Sequence, residues 1–140
     1  MNFLNCSWKW LNDEVVRRLT LTPKFTRASQ KQWFLKLSKR SDYLIWGVEA
    51  GDTPIGACGL KNITVSDCEF FGYIGEKRYW GKGLGTEMMI ILINKAKDLG
   101  KTSMWLKVTK TNKRALALYS KMGFSIVSEE KLLFVMRKYL

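Results

Sequence analysis

Apolar positions along this chain follow two periods, and the switches between them mark out the elements. Trp10, Leu11, Val15 and Leu19 fall at near-helical spacing within residues 7–19, Asn12-Asp13-Glu14 suits a helix start, and Pro23 closes the segment. A second helix is predicted from Thr26 or Ser29 to Leu37, with Trp33, Phe34 and Leu37 inward and Lys31, Lys36 and Lys39 outward. Residues 43–49 then read as a strand, residues 50–53 as a tight turn, and residues 54–63 as its antiparallel partner. A third strand over residues 68–74 runs straight into a glycine-rich turn. Beyond it Met88, Met89, Leu92, Ala96 and Leu99 recur on one helical face, which predicts an amphipathic helix over residues 84–99 ended by Gly100. Residues 103–108 read as a strand, and residues 113–122 as a helix capped by Thr111-Asn112 and terminated by Gly123. Residues 126–128 and 132–139 close the chain as an antiparallel pair. The order α-α-β-β-β-α-β-α-β-β, without repeats or low-complexity linkers, predicts one mixed α/β layered domain over residues 1–140.

Composition adds exclusions. With 46% hydrophobic and 26% charged residues, the chain has ordinary globular usage and enough apolar material for a core. The longest unbroken apolar run, residues 88–93, is too short to cross a bilayer. Met1-Asn2-Phe3-Leu4-Asn5-Cys6 has no basic segment ahead of an apolar one, so a cytoplasmic protein without a membrane span is expected. Cys6, Cys58 and Cys68 are odd in number, lack C-x-x-C spacing and have no histidine to join them. That argues against a disulfide framework or a zinc site, and no metal is expected. The missing histidine also removes the commonest general base, leaving Glu, Asp, Tyr, Lys, Cys or a water chain for proton transfer near neutral pH.

The net charge of +12 fits either an anionic partner or a solvated basic surface. Lys77, Arg78 and Lys82 surround the glycine turn, while Lys107, Lys110, Lys113 and Arg114 crowd a second loop, and a nucleotide-bearing ligand would use both. Nucleic acid is disfavoured, because no recognition motif and no basic helix face with interleaved aromatics accompanies the charge.

The glycine turn itself, Gly81-Lys82-Gly83-Leu84-Gly85, is the candidate chemistry. Glycine admits positive φ and close approach, so such a turn can aim several N–H groups at one point, and a helix starting there favours an anion. A P-loop does not fit, since Gly81-Lys82 is followed by Gly83 and the required earlier glycine is Glu76. A dinucleotide fingerprint does not fit either, since Thr86 stands at its last glycine and Lys101-Thr102-Ser103-Met104 where its acid belongs. A phosphate or pyrophosphate site and a tight turn without a ligand both remain open on the glycines alone.

Two separated segments narrow the choice. Tyr79-Trp80-Gly81-Lys82-Gly83-Leu84-Gly85-Thr86-Glu87 is followed by Asn112-Lys113-Arg114-Ala115-Leu116-Ala117-Leu118-Tyr119-Ser120-Lys121-Met122-Gly123-Phe124. Together they resemble the GNAT superfamily of N-acetyltransferases. Its R/Q-x-x-G-x-G/A loop binds the coenzyme A pyrophosphate, and its N-x-x-A-x-x-x-Y-x-x-x-G-F segment lies on the next helix. The likeness covers about residues 43–124, and Trp10-Leu11-Asn12-Asp13 more loosely resembles the branch with ribosomal-protein and sugar-nucleotide acetyltransferases.

The resemblance implies a single-domain α/β fold with a mixed, mostly antiparallel sheet flanked by helices and a splayed central strand pair. It implies acetyl-CoA as co-substrate, its pyrophosphate held by N–H groups of Trp80, Gly81, Lys82, Gly83, Leu84, Gly85 and Thr86, with Lys82 and Arg78 adding charge. Trp80 departs from the usual Arg or Gln, but supplies the same backbone. The strand over residues 69–76 would splay from that over 104–108 and pair with the pantetheine arm near Tyr73 and Ile74. Tyr119 takes the position of the acid that reprotonates the departing thiolate, Asn112 that of a cofactor contact or helix cap, and Glu69 that of a base acting directly or through water. Glu76 is expected to be solvated, and Cys58 and Cys68 to be core residues rather than nucleophiles.

Members of the family usually open with a strand that here is missing or reduced to Met1–Asn5. The sheet then begins with an exposed edge, covered by a second subunit in a homodimer, or the substrate cleft is more open. The function implied is acetyl transfer to the primary amine of a small molecule, a nucleotide-linked amino sugar among them, or to a peptide N-terminus. Polyamines and aminoglycosides are disfavoured by charge. Trp8, Trp10 and Trp33 would pack in the core or stack on a base or sugar. Two alternatives are a non-catalytic acyl-CoA-binding sensor, which would not need Tyr119, and a basic nucleic-acid-binding module.

Overall fold

A computed structural model describes residues 3–140. The first predicted helix is two helices, α1 (Phe3–Asn12) and α2 (Glu14–Leu19), because Asp13 between them leaves the helical region. Its carboxylate accepts from the N–H groups of Val15 (3.0 Å) and Val16 (3.1 Å), a new N-cap that competes with continuation of α1. Residues 3–5, where the sequence admits a residual strand, are helical. Met1 and Asn2 lie outside the described residues.

Helix α3 (Arg27–Lys36) starts on a reciprocal capping box between Thr26 and Ser29. Its predicted inward face is a correction: Trp33 and Phe34 are 37% and 51% exposed, and Leu37 is only half-buried. Gln30 is its buried residue instead, donating to the Leu4 carbonyl (3.0 Å) and the Ser7 hydroxyl (2.9 Å) of α1. The helix thus docks on α1 through polar contacts, Gln30 together with an Arg27–Asn5 hydrogen bond of 3.0 Å, and leaves its apolar side chains along a cleft.

Strands β1 (Leu44–Ala50), β2 (Thr53–Lys61), β3 (Asp67–Ile74), β4 (Ser103–Thr109), β5 (Ser125–Glu129) and β6 (Leu133–Tyr139) form one sheet of order β1-β2-β3-β4-β6-β5. Among the described residues no strand precedes β1, which stands at one edge. All neighbours are antiparallel except β3 and β4. The period-two alternation sends Phe70, Met104, Leu106, Val108 and Met136 into the core. There they meet Met88, Met89, Leu92, Ile93 and Ala96 of α4 (Leu84–Asp98), so these methionines are packing residues. Leu99, grouped with them by spacing, is 39% exposed at the helix cap. Helix α5 (Lys113–Lys121) adds Ala115, Leu116 and Tyr119 to that core.

The parallel pair is short. β3 and β4 pair at Asp67–Ser103, Cys68–Met104 and Glu69–Trp105 and no further, while β4 keeps pairing with β6 to Thr109–Leu133. Phe70, the first residue past the last pair, packs edge-on against the Tyr119 ring at 6.0 Å, and Tyr119 in turn meets Phe124 at 6.0 Å. The splayed central pair is therefore present, with aromatic rings at its fork.

Candidate active site

The fork exposes backbone that a sheet would otherwise consume. Gly75 donates its N–H to Ile55 at 2.7 Å, so the alternation of an antiparallel ladder directs the backbone groups of Tyr73, Phe71 and Glu69 toward β2. Those of Phe70, Gly72 and Ile74 face β4, across the opening. The Ile74 carbonyl already accepts the Trp80 indole N–H at 2.7 Å. Gly72 and the Ile74 N–H are the gap-facing groups, whereas Tyr73 offers its ring, edge-on to Trp10 at 6.2 Å. For Tyr73 this corrects the pairing expected from sequence by one register position.

Glu69 is 5% exposed and sits on the last paired position of β3. Its Oε1 accepts from the Asn62 amide at 2.8 Å, and its Oε2 lies 3.9 Å from the Lys61 ammonium. Asn62 holds φ +47°, a left-handed conformation that Asn tolerates better than most residues. Neither Asn62 nor Lys61 stood out in the sequence; an Asn one residue past a strand end was the available signal.

Tyr119 comes from α5, whose start is fixed by Asn112. The Asn112 side chain accepts from the Ala115 N–H at 3.2 Å, so the cap is the role the geometry gives it. The Tyr119 hydroxyl makes no hydrogen bond to any described residue, and burial pushes its pKa up to about 12. Burial likewise raises the thiol pKa of Cys58, and that of Cys68 to about 11, which keeps both as inert core thiols at neutral pH. Glu76, expected in solvent, is half-buried and accepts the Trp10 indole N–H at 2.8 Å.

Glu69 and Tyr119 line one cavity of about 900 Å³, which also takes in Gly72, Lys107 and Asn112. Its far walls carry Trp33 and Trp46, the latter 40% exposed. Trp10 is buried, while Trp8 is half-buried, edge-on to Phe25 and under the Arg27 guanidinium. Glu69, Phe71 and Tyr73 point to the α1 side of the sheet and Phe70 to the α4–α5 side, so the fork connects the two faces.

At the other end of the fork, Gly81 and Gly83 take φ +74° and +80°, and α4 begins directly after them. The Trp80 N–H is spent on the Lys77 carbonyl at 3.0 Å. No backbone N–H of residues 81–86 bonds to a described residue, and Glu87 is the first to find a partner, Gly83, at 3.2 Å. These donors stand unpaired at the start of a 15-residue helix, an arrangement whose dipole favours an anion. Gly81, Lys82 and Gly83 are exposed, and Arg78 lies over the Tyr79 ring at 5.2 Å. Among the described residues no group of three or more His, Cys, Asp or Glu is placed to hold a metal, and no helix is long and apolar enough to cross a membrane.

A sheet forked along its one parallel pair, with a free glycine turn and helix start at the end of the fork, is the fold of coenzyme-A-dependent N-acetyltransferases. A family model described as the acetyltransferase (GNAT) family matches residues 8–124, and the chain belongs to that family. It is 28% identical to the acetyltransferase PseH of Campylobacter jejuni, the match covering 89% of this chain and 78% of that one. It is 39% identical over 74 residues to the uncharacterized N-acetyltransferase YobR of Bacillus subtilis, 53% of this chain but 26% of that one. It is 27% identical over 71 residues to the [ribosomal protein bS18]-alanine N-acetyltransferase of Escherichia coli, 51% of this chain and 48% of that one. The chain thus spans about a quarter and about half of the last two. The crystal structure of PseH in complex with acetyl coenzyme A has the same fold, with a TM-score of 0.75 at 23% identity over 99% of this chain and 92% of that one.

Proposed function

We propose that this chain moves the acetyl group of acetyl-CoA directly onto a primary amine. The observation that carries the reading is the fork: gap-facing backbone of β3 leads from Glu69 to the unspent N–H groups at the α4 start. An extended pantetheine arm pairs there with Gly72 and the Ile74 N–H, the diphosphate sits on the turn of residues 81–86, and the thioester lies in the opening. The amine nitrogen attacks the thioester carbonyl carbon from the Glu69 side, the C–S bond breaks, and the thiolate leaves toward Tyr119. Glu69 takes the amine proton directly or through a water, and a β3 N–H steadies the oxyanion; such a donor is worth about 100- to 1,000-fold in rate. No covalent enzyme intermediate is needed.

Burial changes how Tyr119 acts. A phenol at about 12 is a weaker acid than a thiol near ~8–9, so complete transfer to a free thiolate is uphill. Its part is to donate a hydrogen bond while charge grows on sulfur; coenzyme A then leaves as the thiolate and is protonated by solvent, while the amine proton stays on Glu69 until it too passes to solvent. The unpartnered hydroxyl supports this catalytic reading over a silent acyl-CoA sensor.

The acceptor enters from the α1–α3 side. Residues 15–41 carry eight Lys and Arg and no Asp or Glu, and Trp33 and Trp46 line the cavity while remaining partly exposed. These features support an anionic, ring-bearing amine, a nucleotide-linked amino sugar, ahead of a peptide N-terminus, and disfavour polyamines and aminoglycosides.

The test is a thermal-shift titration with acetyl-CoA, with ATP, NAD and a short DNA duplex as controls, followed by thiol release with anionic and cationic amines. Stabilisation by acetyl-CoA with amine-dependent thiol release is expected. Binding without thiol release for any amine would leave the sensor reading, and a shift with DNA alone would overturn both.

A further inference from the structure

Arg114 stands in the first turn of α5, yet it reaches the head of α4. Both terminal nitrogens of its guanidinium lie 4.0 Å from the place a Cβ on Gly81 would occupy. It forms no hydrogen bond or ion pair with a described residue; the ion pairs among those residues use Arg40, Lys61, Lys77, Lys110 and Arg137. The surroundings are unfavourable for a lone cation. Lys113 and Arg114 open α5 with no acidic residue in that turn, although a helix start is itself partly positive. The free N–H groups of residues 81–86 and the exposed Lys82 add charge of the same sign. The side chains on the turn's own approach are otherwise engaged, Arg78 over Tyr79 and Trp80 on the Ile74 carbonyl. A bound polyanion would relieve all of these at once.

We propose that Arg114 grips the diphosphate of acetyl-CoA from across the turn, supplying from α5 the cation that Trp80 does not supply from the loop. This rests on the acetyl-CoA reading above. A planar guanidinium pairs with two phosphate oxygens while the N–H groups of the turn hold others. Gly81 is exposed, takes positive φ and brings the backbone of the turn beside the guanidinium. Arg114 and Tyr119 ride on the same nine-residue helix, so the grip also fixes the element that presents the phenol to the departing sulfur.

The experiment is calorimetric titration of coenzyme A into the wild-type protein, Arg114→Gln, Arg114→Lys and Lys95→Gln, with inorganic pyrophosphate as competitor. Lys95 lies in the last turn of α4 and carries the same change in net charge away from the turn. Arg114→Gln should weaken coenzyme A about 10- to 100-fold, the range for loss of a charge-assisted pair. Arg114→Lys should fall between, Lys95→Gln should stay within about twofold, and pyrophosphate should lose potency against Arg114→Gln in the same proportion. Because Arg114 is exposed, unchanged melting temperatures are expected throughout. Equal affinities in wild type and Arg114→Gln, or equal losses in Arg114→Gln and Lys95→Gln, would overturn the grip while leaving the cofactor reading intact. A wild-type protein that takes up neither coenzyme A nor acetyl-CoA would overturn both.

Discussion

At the scale of single residues, two hydroxyl-bearing side chains, only one of them lining the cavity, have opposite consequences. Tyr119 has a free hydroxyl facing the proposed reaction, so Tyr119→Phe should lower kcat by about 100-fold, the worth of one positioned hydrogen-bond donor to a developing anion, with acetyl-CoA affinity nearly unchanged. Steady-state kinetics beside a binding titration checks this, and equal turnover in the two proteins removes Tyr119 from the mechanism. Thr109 is 5% exposed and its Oγ1 has no hydrogen-bond partner. A buried, unpaired hydroxyl is costly, so Thr109→Val should stabilise the fold by roughly 1 kcal/mol in denaturant unfolding. A loss of stability would mean that the hydroxyl has a partner in solution.

At the scale of elements, what matters is how the helices hold the ends of β3. The Trp10 ring lies over Gly75 with no room for a Cβ, and its indole N–H reaches Glu76. Gly75→Ala should therefore displace α1, lower the melting temperature and raise the KM for the acceptor amine, because α1 and β3 share the cavity wall. A variant with wild-type melting temperature and KM would show that the contact yields freely. Asp13 joins α2 to the 3-10 turn at Lys77–Tyr79 through Lys77 at 2.8 Å. The hydrogen bond from Lys77, helped by the Val16 N–H, holds its pKa below the usual 3.8. A lowered folded pKa gives stability that is present above the unfolded value and lost as pH falls through the folded one. Asp13→Ala should thus melt lower than wild type at pH 7, and the difference should close below about pH 4.

For the whole molecule, buried phenols set the alkaline limit. Burial pushes Tyr43 and Tyr119 up to about 12 and raises Tyr73 as well. Raised folded values contribute stability that is complete below about pH 10 and is lost as pH rises through about 12. Unfolding monitored by circular dichroism should therefore begin near pH 10 and coincide with phenolate absorption. Phenolate from more than two of the five tyrosines before loss of structure would contradict the burial of Tyr43, Tyr73 and Tyr119. The same values predict that catalysis does not decline through loss of the Tyr119 proton between pH 7 and 10.

Much of this layout is legible in the sequence because it rests on local rules. The spacing of Met88, Met89, Leu92 and Ala96, the caps at Thr26 and Asn112, and the φ-positive ends at Gly100 and Gly123 are all near-neighbour effects, and the elements they predict are in place. The two glycine motifs were enough to point to the family. What local rules missed was competition between equals. Asp13 caps a second helix within a run whose apolar spacing fits one, and Trp33 and Phe34 have core-like chemistry in a helix that docks through Gln30.

The sequence by itself determined the order of elements, the glycine turn at the head of α4 and membership of the acetyltransferase family, because hydrophobic period, turn chemistry and motif spacing are properties of contiguous residues. Only the tertiary structure decided which groups meet. The fork after Glu69 depends on where β3 leaves β4; the choice of Gly72 over Tyr73 depends on ladder parity; and Arg114 reaches Gly81 only because α5 packs beside the start of α4. Those outcomes follow from contacts between residues distant in the chain, whose geometry no local spacing contains.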